Sequence, residues 1–141
     1  VSVQAQVVNL LLELQDRLNL TILFVAHDLR LVRHVSNRVA VIYLGRIVEV
    51  GDSETLFSNP SHPYSQALLS AAPSLDPDDK GSAIRLQGEL PSPLNVPPGC
   101  PFHVRCRHAT DFCKSEVPEL RALPGRGEVA CHHAEEVSKN A

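Results

Sequence analysis

The first 99 residues of this chain contain no cysteine, and the whole chain contains no methionine. A disulfide-framed secreted domain spreads its cysteines along its length. Here all four lie after residue 99, and Val1 opens on a helical pattern rather than a signal-type segment, so a local metal site or a local disulfide pair is expected. No apolar run approaches the ~20 residues of a membrane-spanning helix, so work at a membrane would pass through a partner. The net charge of −3 gives no electrostatic reason to bind nucleic acid or an anionic bilayer. No G-x-x-x-x-G-K-[ST] phosphate loop occurs anywhere, which excludes a self-sufficient cradle of backbone amides and lysine for a nucleotide. What remains is a soluble, globular composition, 43% hydrophobic and 21% charged. Its 141 residues suffice for one domain, or for a half-domain with an appendage. Val1 opens directly into a helical pattern, which reads as a piece of a longer chain.

Val3, Val7, Leu10, Leu11, Leu14 and Leu18 recur at helical spacing and predict a core-facing amphipathic helix over Val3–Leu18, stopped at Asn19. Thr21–Ala26 is continuously apolar and rich in β-formers, as in a strand buried on both faces of a parallel sheet. Asp28 is placed to cap a short helix reaching about Val35. Arg38–Tyr43 and Arg46–Val50 predict a hairpin turning at Leu44-Gly45, and Asp52–Phe57 another short helix. Beyond Ser58, prolines punctuate a helix over about Tyr64–Ala71. From Leu75 to Pro98 the chain reads as a surface linker with at most a short strand around Ala83–Gln87. Residues after Ala134 read as a frayed tail.

His27 follows the apolar run. At the carboxyl end of a buried strand, where open α/β sheets bind ligands, an imidazole can donate to a phosphate oxygen and orient a water, although a histidine there is more often a structural cap. The order of helix, apolar strand ending in His27-Asp28-Leu29, short helix, strand, Tyr43-Leu44-Gly45 turn, strand and Gly51-Asp52 resembles the end of an ABC-transporter nucleotide-binding domain. The resemblance makes His27 the switch-loop histidine that contacts the γ-phosphate, and puts Val1-Ser2 just after the family's D-loop. It also assigns the Walker B strand, with its catalytic glutamate, and the LSGGQ-type signature to sequence this chain lacks. The chain alone is therefore expected not to hydrolyse ATP.

Asn59-Pro60-Ser61-His62-Pro63-Tyr64 is physically a helix-start turn, with Pro63 at the first helical position, where a missing N–H costs nothing, and Leu68 and Leu69 packing inward. With the Leu68-Leu69-Ser70-Ala71-Ala72-Pro73 stretch that follows, it resembles the C-terminal extension of oligopeptide and dipeptide importer ATPases.

The cysteines are spaced Cys100-x5-Cys106-x6-Cys113-x17-Cys131, with Cys100 inside Pro97-Pro98-Gly99-Cys100-Pro101. Four thiolates suit an iron–sulfur cluster or a structural zinc; the wide spacing disfavours zinc, although His103, His108, His132 and His133 are nearby alternative ligands. Metal-free thiols and disulfides stay open. The resemblance implies a four-iron four-sulfur cluster held by Cys100, Cys106, Cys113 and Cys131, as in some family members. Arg105, Arg107 and Lys114 flank the cysteines and would offset the negative charge.

The reading is an α/β chain: the C-terminal part of a P-loop ABC nucleotide-binding domain (1–57), a peptide-importer extension and Pro-rich linker (58–98), an irregular cysteine-rich metal-binding segment (99–133), and a disordered tail (134–141). The resemblance implies a parent protein that uses ATP and Mg and pairs with a second ABC ATPase subunit. Its other partners would be transmembrane permease subunits and, indirectly, a substrate-binding protein, at the cytoplasmic face of the membrane. Two alternatives stand beside it: a non-enzymatic metal-binding or interaction module, and the ATPase of a nickel, drug or other-cargo transporter. If the parallel-sheet partners of Thr21–Ala26 lie upstream, open sheet edges and bare apolar surface follow.

Overall fold

The structure, a computed structural model, describes residues 3–72 and 83–139, with the side chains of Val3 and Gln4 left aside. The D-loop junction at Val1-Ser2 and the linker residues 75–82 lie outside the described residues, as do the last two residues of the expected tail. The chain forms two compact units that divide between Asn37 and Arg38.

The first unit holds helix α1 (Val3–Leu18) and helix α2 (Leu29–Val35). Asn19, at φ 50°, ends α1 in the left-handed region that asparagine tolerates. Asp28 caps α2, its carboxylate accepting from the amides of Arg30 and Leu31 at 3.0 and 3.3 Å. Between the helices, the expected strand is absent: Thr21–Ala26 is in no regular element and has no ladder partner among the described residues, and Leu23 and Val25 are 93% and 87% exposed. A strand exists only when a neighbour accepts its amides and carbonyls, and no described segment does so. The apolar stripe of α1 is corrected in the same way. Val8 is buried, whereas Val7, Leu10 and Leu18 are more than half exposed. The periodicity is that of a packing face, yet most of it is exposed and only Leu11 of the stripe is half-buried among the described side chains.

The second unit is built on a four-stranded antiparallel sheet in the order β1-β2-β4-β3, with β1 Arg38–Tyr43, β2 Arg46–Asp52, β3 Arg121–Leu123 and β4 Gly127–Val129. Tyr43 pairs with Arg46 across a two-residue turn whose Leu44 and Gly45 both have positive φ, the geometry that suits the twist of a hairpin. The cysteine-rich segment is thus not simply irregular. Its β3–β4 hairpin extends the first hairpin, with Glu49 opposite Val129 and Val50 opposite Glu128. Gly127, at φ +104°, permits this pairing, because any Cβ there would collide with the Val50 carbonyl.

Helix α3 (Ser53–Ser58) packs on the sheet with Leu56 buried, and α4 (Pro63–Ser70) follows. The core gathers Val41, Tyr43, Val48 and Leu56 with Cys100, Phe102 and Cys113. Tyr43, Tyr64 and Phe102 stack with ring centroids 4.7 to 5.5 Å apart. The expected strand at Ala83–Gln87 is extended chain without a ladder; it is held by the Ile84 amide on Ser70 Oγ at 2.9 Å and by Leu86 against the core. The expected frayed tail begins instead with α6 (Ala134–Val137), where Ala134 and Val137 are both buried. No helix among the described residues is long and apolar enough to cross a membrane.

Candidate metal centre

The second unit brings the four cysteines together. Gly99 holds φ +67°, which lets the chain pass close enough for the Cys100 amide to donate to the Cys113 carbonyl at 2.8 Å. A 3₁₀ turn at His103–Arg105 ends on Cys106. Cys113 sits in the short helix α5 (Asp111–Ser115), and Cys131 follows β4. Residues from His62 to His133 thus close onto one space, which all four cysteines line together with His62, His103, His108, His132 and His133. None of the cysteines is in a disulfide.

The environment is that of shielded thiols. Burial pushes Cys100 and Cys106 up, and Cys131 up to about 12; the neighbouring thiols add to this because several thiolates in one space repel one another. Backbone amides are already aimed at the sulfurs. The His108 amide donates to Cys106 Sγ at 3.4 Å, and Thr110 Oγ1 lies 3.4 Å from Cys113 Sγ and 3.1 Å from His133 Nε2. A donor set of two buried and two half-buried thiols, with amide and hydroxyl groups beside them, suits a soft cationic centre, which would displace the thiol protons. Among the described residues, however, no three His, Cys, Asp or Glu side chains are gathered tightly enough to grip a single ion.

His27 lies in the first unit, exposed, directly before the cap of α2. It shares no described site with the cysteines.

Two buried positions hold structural roles that the sequence reading did not assign. Glu49 is 2% exposed in β2, and its carboxylate accepts from the amides of Ser61 at 2.7 Å and His62 at 3.0 Å. Burial raises its pKa, and these bonds together with Arg126 oppose the rise. Arg126, in the β3–β4 turn, donates to the carbonyl and side-chain oxygens of Asn59. The Asn59–Tyr64 turn is therefore fastened to both hairpins. The available signal was the single acid in Ile47-Val48-Glu49-Val50, a charge in an otherwise apolar strand.

His62 is the other. It is 1% exposed, and its Nδ1 accepts from the Tyr64 amide at 3.0 Å, capping α4. Burial pushes its pKa down to about 3, against a hydrogen bond with the Ala130 backbone that raises it. The unfolded imidazole binds a proton near pH 6.5, whereas the folded one stays neutral until about pH 3. Between those values unfolding takes up a proton, so this contribution to stability is complete above pH 6.5 and is lost as the pH falls. Urea midpoints should show stability dropping by about 1.4 kcal/mol per pH unit from this group between pH 6 and 5. A His62→Asn variant, which keeps a capping acceptor, should show a shallower dependence. An unchanged slope would remove His62 as the source.

A family model described as the C-terminal region of oligopeptide/dipeptide transporters matches residues 48–113, which carry the greater part of β2, the Asn59–Tyr64 turn and three of the cysteines. The di/tripeptide transport ATP-binding protein DppF of Pseudomonas aeruginosa is 54% identical over 96% of this chain and 42% of its own length. The dipeptide transport ATP-binding protein DppF of Escherichia coli is 53% identical over 93% of the chain and 39% of its own. A probable peptide ABC transporter ATP-binding protein of Sinorhizobium fredii is 51% identical over 94% and 37%. The chain thus spans about two fifths of the length of these curated relatives. With the Asn59–Tyr64 turn inside the matched region and this level of identity along nearly all its length, the chain belongs to the oligopeptide/dipeptide ABC transporter ATP-binding proteins.

Proposed function

We propose that this chain forms part of an ATP-hydrolysing subunit that powers peptide uptake, and that its four cysteines hold a four-iron four-sulfur cluster stabilising the C-terminal region. The transport role is carried by the high identity to peptide-transport ATP-binding proteins across nearly the whole chain. In that reading His27 donates to the γ-phosphate of ATP bound with Mg, and holds the attacking water in line. The chain supplies no phosphate loop of its own. A second ATPase subunit, permease subunits and a substrate-binding protein are the partners the reading requires, at the cytoplasmic face of the membrane.

The cluster reading rests on the convergence of all four thiols on one space. A single zinc needs its thiolates about 2.3 Å from one point. A polynuclear centre spreads its thiolate ligands over several metal atoms, so the four cysteines need not meet at one point. When bound, the cluster supplies negative charge and a redox couple. The chain's own part is to ligate it through Cys100, Cys106, Cys113 and Cys131, with donors from His108 and Thr110 at the sulfurs. Its default role is structural, because ligation supplies folding energy to a segment with few apolar residues.

Uptake of a labelled dipeptide by cells whose encoded protein carries His27→Ala is expected to fall at least ~100-fold, the scale of losing one catalytic donor. Uptake at the original rate would remove His27 from the mechanism. The purified chain alone is expected to release no phosphate from ATP, and measurable turnover would show that it does not depend on an external phosphate loop.

A further inference from the structure

A second cavity in the same unit, about 430 Å³, lies between the extended 83–87 segment and the 3₁₀ turn. Pro63 and Phe102 line it on one side, and Arg85, Arg105 and Arg107 line it as well. No Asp or Glu is among its described lining residues. Among the described residues, none of the three arginines has a carboxylate partner. Arg107 donates only sideways, from Nε to His108 Nε2 at 3.0 Å. Arg105 is half-buried, and its Nε is shut off from solvent with no acceptor.

Three guanidinium groups around one space repel one another, and a buried guanidinium donor without an acceptor is costly. The fold bears that cost, and an oxyanion in the cavity would relieve both the repulsion and the unmet donor. Guanidinium forks match planar or tetrahedral oxyanions bidentately, and a phosphate ester presents several charged oxygens to share among three of them. The cavity also exceeds a bare ion in size, so an organic substituent would lie along Pro63, Phe102 and Val104. We propose that this cavity binds a phosphate-bearing ligand through Arg85, Arg105 and Arg107. Its chemistry is shared by a soluble phosphate ester and by an anionic lipid headgroup. Because Cys106 and Phe102 border both this cavity and the thiol-lined space, the ligand would sit against the loop that carries one of the cysteines.

The test titrates the purified protein with inorganic phosphate and with glycerol 3-phosphate, at constant ionic strength set by chloride. The Arg side-chain N–H resonances report the binding. The expected result is a saturable shift, absent with chloride, that weakens about tenfold in Arg85→Gln and in Arg107→Gln. Both residues are exposed, so the fold should persist; unchanged melting temperatures check this. No saturable response beyond chloride overturns the proposal, and so does an affinity in both variants that is unchanged from that of the unsubstituted protein. Sedimentation with phosphatidylglycerol vesicles, against phosphatidylcholine vesicles, separates the two sources. Vesicle binding lost in Arg85→Gln assigns the site to a headgroup, and phosphate binding without vesicle binding assigns it to a soluble ester. Vesicle binding that survives in both variants counts against this cavity.

Discussion

Cys106→Ser is expected to abolish the metal centre outright. Protein purified without oxygen should carry iron and acid-labile sulfide in near-equal amounts and a brown visible absorption, and the variant should carry neither. The size of the effect follows from the geometry. The four thiols line one space, so removing one ligand opens the shell rather than leaving an independent half-site. The protons that burial keeps on Cys100 and Cys131 leave only when a cation repays the deprotonation. Loss of the centre should therefore also loosen residues 99–137 by several kcal/mol, visible as faster amide exchange there. Zinc in place of iron, or metal-free thiols, would sink the cluster. The peptide-transporter assignment would be untouched, because it rests on sequence identity.

Gly99→Ala should be severely damaging although it alters no chemical group. Gly99 sits at φ +67°, and a Cβ built there would lie 2.5 Å from the Cys113 carbonyl oxygen and 2.6 Å from the Lys114 carbonyl carbon. Both contacts are with backbone, so no side chain can turn aside to relieve them. The Cys100–Cys113 hydrogen bond that closes the loop would have to break. A loss above ~4 kcal/mol is expected, a large part of the stability of a domain this size. Gly88→Ala is the control. Its φ is +75°, but the added Cβ meets only the Val104 oxygen, at 3.4 Å, so about 1 to 2 kcal/mol is expected. Urea denaturation of the two variants measures the difference. Equal midpoints would mean that the close approach at Gly99 is not what holds the cysteine loop.

Local order was legible in the sequence where it depends on neighbours along the chain. The periodicity of Val3–Leu18, the Asp28 cap, the Leu44-Gly45 turn and the Pro63 helix start each involve residues within about four positions of one another, and each is present. Patterns that need a distant partner misled. Thr21–Ala26 has the composition of a strand, yet composition alone supplies no ladder of hydrogen bonds. The stripe of α1 has the spacing of a core face and stays open.

The sequence by itself determined the family, through the residues of the Asn59–Tyr64 turn, and named four cysteines as the candidate ligands. Only the tertiary structure decided that these cysteines meet. Antiparallel pairing of β4 with β2 brings Cys131 back to Cys100, Cys106 and Cys113. The same closure buries Glu49 beneath the turn and His62 beside the thiols, and it leaves three arginines around an uncompensated cavity. The physical reason is common to all of these. Burial and charge balance are set by what packs from across the fold, and no periodicity in a single chain segment carries that information.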